Sequence, residues 1–134
     1  MSAPGVPVDA ALRNVVRRRA NDRCEYCHIT QQHDPFFQFH VEHIVARQHG
    51  GATEETNLAF ACHHCNLHKG PNLSGIDPLS GQIVSLYHPR TQVREEHFEL
   101  RGANVLGLTP TGRATVRVLL MNSPTRLQLR ALAR

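Results

Sequence analysis

Apolar positions in this chain come in short runs with different periods, and each run predicts a short element. Leu12, Val15 and Val16 share one side of a helix drawn from about 9 to 20, with Arg13, Arg17 and Arg18 over the rest. Asp9 precedes it as a cap whose carboxylate accepts from the first-turn amides, and Asn21-Asp22 ends it. From Phe37 to Val45 the period falls to two, which predicts a strand. Phe37, Phe39, Val41 and His43 line one face; Gln38, His40, Glu42 and Ile44 line the other. Glu42 and His43 thus point to opposite sides unless the strand bulges or stops pairing there. Residues 47–57 read as a loop turning at Gly50-Gly51, and residues 58–61 as a second short strand. Residues 63–69 read as a short helix stopped by Gly70-Pro71.

Further along, residues 71–81 are turn-rich and residues 83–87 form a strand. Residues 96–101 and 104–108 read as a hairpin across Gly102-Ala103. Residues 111–121 carry Val116, Leu119 and Leu120 at helical spacing. Ser123-Pro124 opens a last helix, with serine as cap and proline in the first turn. Residues 1–8, with two prolines and a glycine, read as a mobile lead-in. The expected organisation of residues 1–134 is one domain, its core at about 20–70 and a C-terminal extension at 71–134.

Composition sharpens this outline. The 134 residues are 40% hydrophobic, so the chain is not disordered by composition, but they include no tryptophan and only 5% aromatics. Such a thin core gains from a structural metal. A net charge of +4 and a pI near 9.2 suit a phosphate-rich partner without demanding one. The helix arginines read either as a solvated face or as phosphate contacts. No apolar run reaches the roughly 18 residues of a membrane span, and no export signal is visible, so the expected location is cytoplasmic. Of ten histidines, eight fall between His28 and His68, which marks that stretch as the chemical one.

The four cysteines form two Cys-x-x-Cys pairs, Cys24/Cys27 and Cys62/Cys65. In a chain without an export signal this spacing predicts four thiolates around a structural zinc ion rather than disulfides. The competing readings are two redox pairs or free core thiols. His28, His63 and His64 lie beside the cysteines as alternative ligands.

The residues between the pairs carry a second pattern. Glu42-His43-Ile44, Gly50-Gly51, Asn57-Leu58 and Cys62-x-x-Cys65-Asn66-x-x-Lys69-Gly70 resemble the HNH endonuclease family in its zinc-supported form. The likeness covers residues 24–70. It implies an α+β fold: a ββα-metal core clamped by the four-cysteine zinc site, with an N-terminal helix and a C-terminal strand/helix extension. It also implies a metal-dependent endonuclease that hydrolyses phosphodiester bonds in DNA. The family most often has aspartate where this chain has Glu42, one methylene longer, and Asn66 stands where other members have histidine. On this likeness His43 activates water, Glu42 and Asn66 hold Mg2+ or Mn2+, and Asn57 holds the loop that orients His43. Lys69 and Arg47 contact phosphate. The chemistry agrees: a histidine near its pKa suits a general base, and a hard cation takes carboxylate and amide oxygens.

The alternative is a non-catalytic, zinc-stabilised nucleic-acid-binding module. A secreted toxin nuclease is a third reading, for which the chain shows no delivery segment. The residues choose neither between DNA and RNA nor between monomer and homodimer. One such site cuts one strand.

Overall fold

The structure, a computed structural model, describes residues 8–133. The expected lead-in therefore falls outside the described residues except for Val8, and so does Arg134, with which the expected last helix closes.

Helix α1 spans Ala10–Arg19, and Asp9 caps it as expected, accepting from the Leu12 amide at 2.8 Å. Val16 is buried and Leu12 packs beside it, but Val15 points outward. Its arginines fit neither sequence reading alone. Arg13 donates to the Phe39 carbonyl at 2.8 Å, and Arg19 to the carbonyls of Glu55 and Leu58 at 2.9 and 2.7 Å. These guanidinium groups fasten the helix to the strands, while Arg17 pairs locally with Asp22.

Strand β1 (His40–His43) and strand β2 (Leu58–Ala61) form an antiparallel pair in which His43 faces Leu58 and Glu42 faces Ala59. The strand expected from Phe37 to Val45 is cut at both ends. Phe36 and Phe37 stand out in solvent, 80% and 58% exposed, and pairing stops at His43. Helix α2 follows β2 as His63–Lys69, over the residues the sequence predicts. Gly70, at φ 51°, closes it. This strand–loop–strand–helix unit is the expected ββα core.

Beyond it, strands β3 (Ser74–Ile76) and β4 (Ile83–Ser85) pair antiparallel, where the sequence predicts only turns before residue 83. A four-residue helix α3 (Arg94–His97) leads into the hairpin of β5 (Phe98–Arg101) and β6 (Asn104–Gly107). Helix α4 (Pro110–Val118) packs on β3, β4 and β6. Helix α5 (Pro124–Leu132) starts at Pro124 as expected, but Ser123 does not cap it: its hydroxyl is buried without a partner. One buried cluster draws on both parts of the chain, from Val16 through Phe39, Leu58 and Phe60 to Phe98, Val105, Leu119 and Met121. No helix among the described residues is long and apolar enough to cross a membrane.

Candidate active site and cysteine cluster

The two cysteine pairs meet. All four sulfurs lie within 4.8 Å of one another, and all four residues are buried. A tetrahedral zinc with bonds of about 2.3 Å places its sulfurs about 3.8 Å apart. Cys27 and Cys62, one from each pair, stand at 3.8 Å. The dimensions and the donor set therefore fit a tetrathiolate zinc site. No disulfide joins the cysteines. Backbone amides support the sulfurs: Cys65 N–H donates to Cys62 Sγ at 3.3 Å, which also caps α2.

The neighbouring histidines take other roles. His63 lies against Phe37, ring centroids 4.3 Å apart, and meets His40 at 3.1 Å. His64 Nε2 bonds the Leu120 carbonyl at 2.9 Å. His28, in left-handed backbone at φ 67°, also stays outside the cluster. Its pKa is lowered to about 4, by burial first and then by Arg94 and Arg23.

A cation not anticipated from the sequence stands over the sulfurs. Arg126 of α5 donates to Cys62 Sγ at 3.3 Å and lies 3.9 Å from Cys27 Sγ, while its other nitrogen bonds Asp34 at 2.8 Å. Burial pulls its pKa down, but the thiolates of Cys62 and Cys27 and the Asp34 carboxylate outweigh that and leave it raised. A zinc with four thiolates carries two net negative charges, so one buried guanidinium partly offsets them.

The loop after β1 sets His43. Its Nε2 stands 2.8 Å from the hydroxyl of Thr53, a fully buried residue. Arg47 Nε approaches the same nitrogen at 3.5 Å, a marginal hydrogen-bond distance. In the tautomer that donates Nε2–H to the Thr53 hydroxyl, Nδ1 carries the lone pair left for water. Burial, then the charges of Arg47 and Lys69, hold the imidazole below its usual pKa, so it is neutral near pH 7.

Asn57 carries the loop. Its Oδ1 accepts from Val45 N–H at 2.9 Å; its Nδ2 donates to the carbonyls of Val45 and Ala52 at 3.0 and 2.9 Å. The Asn57 carbonyl also accepts from Ile44 N–H at 2.9 Å. Every hydrogen-bonding group of this carboxamide is engaged with backbone, which ties the loop to the end of β1. Gly51 is needed at the same spot. A Cβ there would lie 1.8 Å from the Val45 carbonyl oxygen and 2.8 Å from Asn57 Nδ2. Gly50, at φ 88°, supplies the left-handed turn beside it.

Glu42 faces inward. Its carboxylate accepts from the Tyr26 hydroxyl on one oxygen, and Lys69 Nζ lies 3.1 Å from the other. Burial raises its pKa, against the opposing pull of Lys69 and Tyr26. Lys69 is only 2% exposed and also donates to the Ile44 carbonyl at 2.9 Å. Here the sequence expectation needs correction. Lys69 does not stand at the surface as a phosphate contact; its charge is engaged inside, on Glu42. Arg47, in contrast, is exposed beside His43.

The donor chemistry at Glu42 and Asn66 fits a hard divalent cation. A carboxylate and a carboxamide oxygen are the ligand types it takes. The Lys69 ammonium marks a cation position at the carboxylate, although a metal there would have to displace or share it. Asn66 lies one helical turn before Lys69, about 5–6 Å between Cβ atoms at that spacing. Its side chain makes no hydrogen bond to any described residue.

Three residues of this region escaped the sequence reading: Thr53, Tyr26 and Arg126. Only Thr53 had a local signal, two residues after the Gly-Gly turn that faces His43. No curated protein and no solved structure matches the chain. The family scan does match, over residues 24–72, and so takes in all four cysteines together with Glu42, His43, Thr53, Asn57 and Asn66: this segment matches the family model described as HNH endonuclease.

Proposed function

We propose that this protein is a metal-dependent endonuclease that hydrolyses phosphodiester bonds in DNA. The observation that carries the reading is the placement of His43: half-buried, its Nε2 against the Thr53 hydroxyl and its pKa held below the usual value, so that the tautomer donating Nε2–H to Thr53 leaves the Nδ1 lone pair to take a proton from water. A positioned base of this kind contributes about 10²- to 10⁴-fold in rate. Glu42 and Asn66 hold Mg2+ or Mn2+, which when bound polarises the phosphate and stabilises the leaving oxygen. Asn57 keeps the loop from moving His43 out of line. Arg47, exposed on the His43 side, contacts the substrate phosphate. The four cysteines hold zinc as a structural ion. The mild positive charge and the absence of a membrane-crossing helix among the described residues suit a nucleic-acid enzyme of the cytoplasm.

The second reading, a zinc-stabilised module that binds nucleic acid without cutting it, draws support from one observation. Glu42 is already neutralised by Lys69. Incubation with supercoiled plasmid separates the two. The nuclease reading expects nicking that needs Mg2+ or Mn2+ and falls at least about 10²-fold in His43→Ala. Binding without nicking, unchanged by that substitution, would establish the second reading. A parallel RNA substrate decides the nucleic-acid class.

A further inference from the structure

The Glu42 carboxylate is gripped from two sides, and each grip grows out of a different cysteine pair. Tyr26 lies between Cys24 and Cys27 and donates its hydroxyl to one carboxylate oxygen. Lys69, which takes the other oxygen, ends the helix that Cys62 caps and in which Cys65 is buried. Tyr26 itself has little room to move. It is 1% exposed, and its ring meets the edge of Tyr87 with centroids 6.3 Å apart. Its carbonyl accepts from Arg94 at 3.2 and 2.8 Å. The knuckle around it is tied to β2, where Glu25 N–H donates to the Phe60 carbonyl at 2.8 Å and the Glu25 carboxylate accepts from Phe60 N–H at 2.8 Å.

A glutamate side chain has three rotatable bonds and would lose part of its binding energy in being ordered. A hydrogen bond from an immobile phenol removes that freedom in advance. Groups that orient a ligating carboxylate are worth roughly 10- to 100-fold in metal affinity. We infer that Tyr26 is a positioning residue that fixes Glu42 for a divalent cation and so couples the cysteine cluster to the proposed active site. The inference rests on the nuclease reading for the identity of that site, but its test does not.

The chain has no tryptophan and two tyrosines, Tyr26 and Tyr87. Tyr87→Phe removes a hydroxyl for which no hydrogen bond is seen and leaves Tyr26 as the sole emitter. A carboxylate that accepts from a phenol quenches its emission; a cation on the same carboxylate weakens that acceptance. Adding Mg2+ to the Tyr87→Phe protein should raise the emission, and the rise should vanish when Glu42→Gln is added. Emission that ignores Mg2+ would overturn the inference.

Tyr26→Phe is the second arm. Mg2+ affinity by calorimetry should weaken about tenfold, with zinc content unchanged. In the nicking assay the Mg2+ requirement should rise while the rate at saturating Mg2+ stays near wild type. Wild-type Mg2+ affinity in Tyr26→Phe, or loss of its zinc, would overturn the inference. Should Tyr26→Phe not fold, the emission titration decides alone. A wild-type protein that passes both binding tests and nicks nothing would sink the nuclease reading and leave the role of Tyr26 standing.

Discussion

The segment 24–72 and the extension after it are built on different principles. The segment has four-residue strands, a seven-residue helix and a dense set of buried polar groups: Asp34, Glu42, Thr53, Asn57 and Lys69. These polar groups sit beside an apolar cluster to which the segment itself contributes Ile29, Phe39, Ile44, Leu58 and Phe60. The extension has two nine-residue helices packed against hairpins, with Asp77 and Arg113 as a bidentate brace at 2.8 and 3.0 Å. It also lends cations to the first part. Arg90 pairs with Glu25, Arg94 holds the Tyr26 carbonyl, and Arg126 sits on the cysteine sulfurs. A site of charged and ligating groups needs cross-bracing from outside, because each buried charge left without a partner costs several kcal/mol.

Removing the zinc should break the comparison most violently. Structural zinc contributes on the order of 10–16 kcal/mol in small metal-folded units. Chelation should strip hydrogen-exchange protection from residues 24–72 first, while the β5–β6 hairpin and α4 keep theirs longer. Simultaneous loss everywhere would show that the two regions are one cooperative unit. Removing only Mg2+ should leave protection intact and stop nicking.

Arg126→Leu should come next. It leaves Asp34 and the thiolates without their buried cation, a loss of roughly 3–5 kcal/mol. The melting temperature should drop and zinc should pass faster to a colorimetric chelator. Unchanged zinc release would mean that the extension does not brace the cluster.

Asn57→Ala is a smaller change confined to the first region. It strips partners from Val45 N–H and from the carbonyls of Val45 and Ala52, at about 1–3 kcal/mol. Nicking should fall further than the stability loss explains, because the loop that positions His43 loosens. Equal stability with unaltered nicking would remove Asn57 from the positioning role.

The mildest test is acid. His43 has a folded pKa below its unfolded value of 6.5, so the fold favours the neutral ring. Its contribution to stability is complete above pH 6.5 and declines as pH falls toward the lowered value. Nicking should hold somewhat below pH 6.5 and then drop as the base protonates. Asp77 is the counterpart in the extension. The Arg113 hydrogen bonds hold its carboxyl well below the usual carboxylate range, so its contribution persists until pH falls below that range. Acid should therefore weaken segment 24–72 before the extension. A rate that stays flat across the histidine range would rule out His43 as the base.

Much of the chain up to residue 72 was legible in the residues. Asp9, the Gly50-Gly51 turn, Gly70 and the cysteine spacing act within a few residues of themselves, and α1, β2 and α2 lie within a residue of where these signals put them. Less of the second region could be read. Ser74–Ile76 looks like turn sequence and becomes a strand because β4 lies beside it. Alternation alone extended β1 to Phe37 and Val45, but β2 offers only four residues to pair with.

The chain itself dictated the pairing of its cysteines and the bounds of α1, β2 and α2, since caps, turns and ligand spacings are local backbone rules. Only the tertiary structure decided that Lys69 turns inward to Glu42, that Tyr26 reaches the same carboxylate, and that Arg126 meets a thiol 99 residues away. Those choices depend on which buried charges find each other once water is excluded. No period or spacing in a linear sequence encodes that.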